Sequence, residues 1–218
     1  MGMPISIDIP VAANDQPFQA AFGRIEKIIE RFSPFMAQSE LCRFQRGEIK
    51  AGDLSQEMKQ VIKACKEAQE WTNGYFSAQF KGKFNPTGYV KGWALAEAGQ
   101  AIKNAGHQTY CIGAGGDIWA QGDKTWKVGI QDPRAKEKIL DYASISNGAV
   151  ATSGNYERGP HIVNPKTGKP ADHFLSVTVI GPDIIKADIL ATAIFAAGKD
   201  ANSILEKFQD YKVITVGK

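Results

Sequence analysis

The order of elements predicts an α+β fold. Amphipathic helices crowd the first half of the chain, short alternating runs fill residues 108–152, and helix and strand signals mix again toward the end. At 218 residues, with 43% apolar and 22% charged residues, the composition is that of an ordinary globular chain able to bury a sizeable core. No internal repeat, low-complexity segment or long linker interrupts the pattern, so a single domain over residues 1–218 is expected.

Each element has a local reason. Residues 5–11 alternate apolar and polar and predict a first strand that ends near Pro10. Asn14 or Asp15 then caps a helix in which Phe18, Phe22, Ile25, Ile28, Ile29 and Phe32 recur at three- and four-residue steps; it stops near Ser33-Pro34. Leu54, Met58, Val61, Ile62, Cys65, Ala68 and Trp71 predict a second helix, closed by Asn73-Gly74. A third covers about residues 91–104 and ends at Gly106. Alternating runs predict strands over residues 108–112, 117–121, 126–131, 139–145, 149–152 and 176–180. Helices are expected over 188–197 and 201–208, and a strand over 212–216 closes the sheet.

Composition also excludes classes. A net charge of +3, without a basic stripe interleaved with aromatics, argues against nucleic-acid binding. No stretch approaches the roughly 20 apolar residues of a membrane helix, so membrane insertion is not expected. Residues 1–9 carry neither a signal peptide nor a lipid-bearing cysteine, which predicts a cytoplasmic protein. Cys42, Cys65 and Cys111 are odd in number and widely spaced, as reduced and mostly buried thiols are.

The chemistry-bearing residues concentrate late in the chain. Ala187-Asp188-Ile189-Leu190-Ala191-Thr192-Ala193 reads as a helix start, with Asp188 and Thr192 one turn apart on one face. Two hard oxygens so placed suit Mg²⁺; an N-cap role for Asp188 is the alternative. His161-Ile162-Val163-Asn164-Pro165-Lys166-Thr167-Gly168 offers a histidine ahead of a Pro/Gly turn, able to stand at the rim of a cleft. His107 and His173 read as local or surface histidines. Gly113-Ala114-Gly115-Gly116-Asp117 fits a tight hairpin turn or a backbone cradle for a ligand. Asn85-Pro86-Thr87-Gly88 precedes a helix with Lys91 in its opening turn, facing either an anion or solvent. Ser153 lies in Ala151-Thr152-Ser153-Gly154, ahead of the polar Tyr156, Glu157 and Arg158; without a nucleophile-elbow context it reads as a turn serine.

Taken together these segments resemble the ApbE family, whose members are FAD-dependent FMN transferases. The likeness runs through Met1-Gly2-Met3, Ser39-Glu40-Leu41-Cys42-Arg43-Phe44, Gly88-Tyr89-Val90-Lys91-Gly92-Trp93-Ala94, Gly115-Gly116-Asp117, Ile130-Gln131-Asp132-Pro133, Ala151-Thr152-Ser153-Gly154, the His161 segment and the Asp188 segment. It implies the ApbE type of fold, with a nucleotide cleft between the sheet-rich middle and the helices. It also implies Mg²⁺ held by Asp188, Thr192 and the main-chain carbonyl of Gly88, and FAD contacts at Met1, Phe35, Tyr75, Phe76, Ser77, Asn85, Lys91 and Ile162. His161 matches the family's proposed base. Ser77, Asn85 and Asn164 stand where aspartates are common in the family, so these positions contribute no charge attraction to a cation.

The activity so implied is Mg²⁺-dependent transfer of the FMN half of FAD to a threonine or serine hydroxyl of an acceptor flavoprotein carrying a small-residue motif, with release of AMP. A Mg²⁺-dependent FAD pyrophosphatase is the alternative on the same site, and a non-catalytic flavin-binding accessory protein is the alternative from another class. Ser146-Asn147-Gly148-Ala149-Val150-Ala151-Thr152 loosely echoes an acceptor motif, against which stands its reading as a buried strand.

Overall fold

Alternation carries the chain into β1 (Ile5–Asp8), which stops before Pro10, a residue with no N–H to give a ladder. Then follow α1 (Gln16–Phe32), α2 (Glu40–Gln45), α3 (Gln56–Trp71), the short hairpin of β2 (Gln79–Phe80) and β3 (Lys83–Phe84), and α4 (Thr87–Asn104). The second half holds β4 (Tyr110–Ala114), β5 (Asp117–Gln121), β6 (Trp126–Asp132), β7 (Ala135–Ile145), β8 (Gly148–Gly154), β9 (Phe174–Gly181), α5 (Ile184–Ala197), α6 (Asn202–Leu205) and β10 (Lys212–Gly217). The computed structural model describes residues 3–80, 82–155, 159 and 161–217. Met1, expected at the flavin nucleotide, and the polar run Tyr156, Glu157 and Arg158 lie outside the described residues.

Among the described residues, six strands form one sheet in the order β1-β4-β5-β8-β9-β10, each neighbouring pair antiparallel. One face carries the helices. Tyr110, Ile112 and Ala114 of β4, Ala149 and Ala151 of β8, and Val177 and Val179 of β9 share a core with α1, α3, α4 and α5. The other face is covered in part by the β6–β7 hairpin, through a small cluster of Ala120, Ala143, Ile145 and Val150. Helix α5 lies on β8 and β9, and α4 is sandwiched between α1 and the sheet side. Both are therefore apolar almost all round, as helices covered on more than one side must be.

Two close approaches set this packing. A Cβ on Gly92 would meet Ile184 O at 3.1 Å and Asp188 Cβ at 3.2 Å, so α4 and α5 cross nearly backbone to backbone. Gly115 and Gly116 join β4 to β5 with φ of 56° and 91°, the positive values that a two-residue hairpin requires, and Ala114 pairs with Asp117 across it. The hairpin reading of this glycine run is the one observed.

Several expected boundaries move. Helix α4 starts at Thr87, four residues early, because Asn85 Oδ1 accepts the Thr87 N–H at 3.2 Å. Helix α5 starts at Ile184, not at the Asp188 segment: Asp183 caps it, accepting the Lys186 N–H at 2.8 Å. The helix expected over residues 201–208 shrinks to α6, and Phe208 packs edge-on against Trp71 and Tyr211. Cys42 and Cys65 are buried and Cys111 half-buried, all three free. No helix among the described residues is long and apolar enough to cross a membrane.

Candidate active site at the crossing of two buried helices

Asp188 sits in the second turn of α5 with only 2% of its surface exposed, so the N-cap alternative fails. Its Oδ2 accepts the Gly92 N–H at 3.0 Å, and its Oδ1 lies 3.1 Å from Lys91 Nζ. Gly92 is four residues past Gly88, so in a helix its N–H points at the Gly88 carbonyl. The carboxylate that takes this N–H therefore stands beside that carbonyl. One turn along α5, Thr192 Oγ1 lies 3.1 Å from Ser153 Oγ of β8. The close crossing of α4 and α5 thus sets Asp188 beside the first turn of α4, with Thr192 one helical turn further along α5.

Lys91 is neither solvated nor simply turned to an outside anion, as the sequence had allowed. Its ammonium, on a side chain 19% exposed, bridges Asp188 Oδ1 and Asp117 Oδ2, the latter at 2.7 Å. Asp117 is fully buried at the start of β5 and also accepts the Thr152 N–H at 3.3 Å. Burial opposes the charge on Lys91, but the carboxylates of Asp188 and Asp117 outweigh it and raise its pKa. Burial, then the neighbouring Asp188 charge, pushes the Asp117 pKa up to about 7, with Lys91 and the Thr152 N–H pulling the other way. Burial likewise raises Asp188, against Lys91 and the Gly92 N–H. With both carboxylates ionised, the cluster carries two negative charges against one positive.

This donor set fits a hard divalent cation. A carboxylate, a hydroxyl and a main-chain carbonyl are oxygen ligands, and the excess negative charge is buried where an added cation relieves it. No group of three or more His, Cys, Asp or Glu side chains with metal-site geometry is present among the described residues, so any cation here leans on the hydroxyl and carbonyl.

The remaining expected residues are spread around this cluster. Phe76 is buried with a ring carbon 3.2 Å from where a Cβ on Gly88 would stand, and its N–H donates to Thr72 Oγ1. Tyr75 is buried and donates its hydroxyl to Asp200 Oδ2 at 2.5 Å, while Lys166 Nζ lies 3.8 Å from its ring centre. Ser77 Oγ accepts the Gln79 N–H. Phe35 is 90% exposed, and Ile162 is buried in the main core. His161 is exposed, with Nδ1 2.9 Å from Gly159 O, a bond within its own loop. That loop is pinned by Asn155, which donates to Ala171 O at 2.8 Å, and by the Ala171 N–H on Ile162 O.

Two residues of the cluster were given no site role from the sequence. Asp117 was read only as the end of a turn; its place in Gly115-Gly116-Asp117 was the available signal. Ser153 lies in a strand, not a turn, and faces α5 because alternation along β8 puts residues 149, 151 and 153 on one side. An open cavity of about 780 Å³ lies elsewhere, lined by Arg24, Arg31, Glu40 and Glu57 among others. These four side chains are ion-paired in a network that also includes Glu97.

The fold and cluster define a class: an antiparallel sheet backed by two crossing buried helices, with an acidic, lysine-bridged oxygen site at the crossing. The chain belongs to the ApbE family, whose model matches residues 1–85 and 78–215. It is 32% identical over 137 residues to the FAD:protein FMN transferase of Haemophilus influenzae, covering 54% of this chain and 39% of that protein. The match thus spans about two fifths of that relative's length. The ApbE protein of Thermotoga maritima superposes with a TM-score of 0.85 at 25% identity, over 99% of this chain and 90% of that one. The flavin transferase ApbE of Vibrio cholerae gives 0.84 at 19% identity, over 100% and 91%, a likeness of fold.

Proposed function

We propose that the chain is a flavin transferase that moves the FMN half of FAD to a serine or threonine hydroxyl of an acceptor protein. The observation that supports this reading is the buried Asp188 carboxylate held on the Gly92 N–H at the crossing of α4 and α5, in a chain whose relatives include FAD:protein FMN transferases. Asp188, Thr192 and the Gly88 carbonyl would hold Mg²⁺, which when bound would counter the charge of the diphosphate. The acceptor oxygen attacks the phosphorus next to the ribityl chain, and the bond from that phosphorus to the bridging oxygen breaks. AMP leaves with the bridging oxygen. His161 takes the hydroxyl proton, a role typically worth about 10²–10⁴-fold in rate. Phe35, Tyr75, Phe76, Ser77, Asn85 and Ile162 contact the flavin nucleotide, and the third N–H of the Lys91 ammonium is free to meet a diphosphate oxygen.

Intact-mass spectrometry of an acceptor domain incubated with the protein, FAD and MgCl₂ tests this. An FMN adduct that chelator abolishes is the expected result. Free FMN beside an unmodified acceptor would replace transfer by hydrolysis, and absence of AMP under all conditions would leave only flavin binding. His161→Ala should slow AMP release while FAD affinity changes little.

A further inference from the structure

Lys91 places an ammonium on the carboxylate proposed to hold the cation. Its ammonium is 3.1 Å from Asp188 Oδ1, while the other oxygen of that carboxylate is taken by the Gly92 N–H. A divalent cation bound at Asp188 therefore stands on the same carboxylate as the ammonium, and either shares it or displaces the ammonium. In either case two positive groups stand within a few ångströms, in a setting where burial weakens screening. Asp117, 2.7 Å from the same nitrogen and fully buried, gives the ammonium a second anchor to which it can retreat without leaving the cluster.

We propose that Lys91 makes cation binding and FAD binding interdependent: its ammonium, which bridges Asp188 and Asp117, gives up Asp188 and keeps Asp117 when cation and diphosphate arrive together. The inference rests on the site assignment under Proposed function. The charge balance explains it. With both carboxylates ionised, one buried lysine between them leaves a net charge of −1, which a lone divalent cation turns to +1. The anionic diphosphate of FAD offsets that excess and accepts a hydrogen bond from Lys91. Each ligand then raises the affinity of the other by the same factor.

The test uses the full chain, MgCl₂, and a fluorescent FAD analogue with a methylene group in place of the bridging diphosphate oxygen, so that nothing is cleaved. Analogue affinity is measured against MgCl₂ concentration, and the melting temperature is followed against MgCl₂ alone. In the parent protein Mg²⁺ should tighten analogue binding by about tenfold or more, within the usual range of coupling between sites. Lys91→Gln should respond to Mg²⁺ alone at lower concentration and lose most of the coupling. Asp117→Asn should act in the opposite direction, requiring more Mg²⁺, because the ammonium is left with Asp188 only. Combining the two substitutions should cancel that increase. Coupling of equal size in the parent and Lys91→Gln would overturn the inference and leave the proposed function standing. Absence of any Mg²⁺ effect on the parent would instead remove the site assignment itself. If Lys91→Gln does not fold, Asp117→Asn decides: an unchanged or lower Mg²⁺ requirement overturns the inference.

Discussion

The hydroxyls of Ser153 and Thr192 lie 3.1 Å apart, joining the helix-facing side of β8 to α5 one turn beyond Asp188. When the Thr192 proton is given to Ser153, the Thr192 lone pairs are left for a cation. Groups that orient metal ligands in this way typically matter by about 10–100-fold in metal affinity. Ser153→Ala is therefore expected to raise the Mg²⁺ concentration needed for half-maximal AMP release by about tenfold, with a small change in melting temperature. An unchanged Mg²⁺ requirement would show that the two hydroxyls serve packing alone.

Asp188→Asn keeps the shape of the side chain and removes its charge. Lys91 retains Asp117 as a partner, so the buried ammonium is not stranded, the situation that makes broken buried pairs so costly. The variant should fold, with a circular-dichroism spectrum like that of the parent, and lose Mg²⁺-dependent AMP release by about 10²-fold or more, as losing a principal charge stabiliser does. Parent-like turnover would move the cation site elsewhere.

Asp117 predicts a pH dependence of stability. Its ordinary pKa of 3.8 is pushed up to about 7 by burial and by Asp188. Between these values the folded chain holds a proton that the unfolded chain has released, so stability falls as pH rises through this window. Above about 7 the full cost of the buried charge is present. Asp117→Asn removes this contribution, and its melting temperature should vary less between pH 4 and 7 than that of the parent. Parallel curves for the two proteins would show that Asp117 is ionised throughout.

Gly99 marks where α4 meets the sheet. A Cβ there would come within 2.3 Å of Trp119 and 2.5 Å of the Tyr110 hydroxyl, two rings already packed edge to face. Alanine favours a helix interior by about 1 kcal/mol over glycine. Overpacking of this kind costs about 1–3 kcal/mol. Gly99→Ala should therefore lower stability in denaturant unfolding, and a gain would show that the Tyr110–Trp119 pair yields easily.

Much of the element order was legible because it is local. Strand period, helical spacing and caps act over a few residues, so β5 and the body of α1 fall where the pattern puts them. The hairpin at Gly115-Gly116 was legible for the same reason. Boundaries governed by distant partners were not: α6 is cut short where Phe208 turns to Trp71, a contact between residues more than a hundred positions apart. The start of α5 was misplaced because two aspartates, Asp183 and Asp188, compete as caps and only one is free to bend back to the opening turn.

The candidate site divides along the same line. The Asp188–Thr192 spacing, the hairpin before Asp117 and the helical run through Lys91 are properties of the sequence, since one helical turn or one strand alternation suffices to state them. That Lys91 spans Asp117 and Asp188, and that Ser153 meets Thr192, was decided by the tertiary structure. Those pairings depend on the glycine that lets α4 approach α5 and on the sheet order that brings β5 beside β8. Buried charges acquire their partners only when separate elements exclude water together, and no stretch of sequence does that alone.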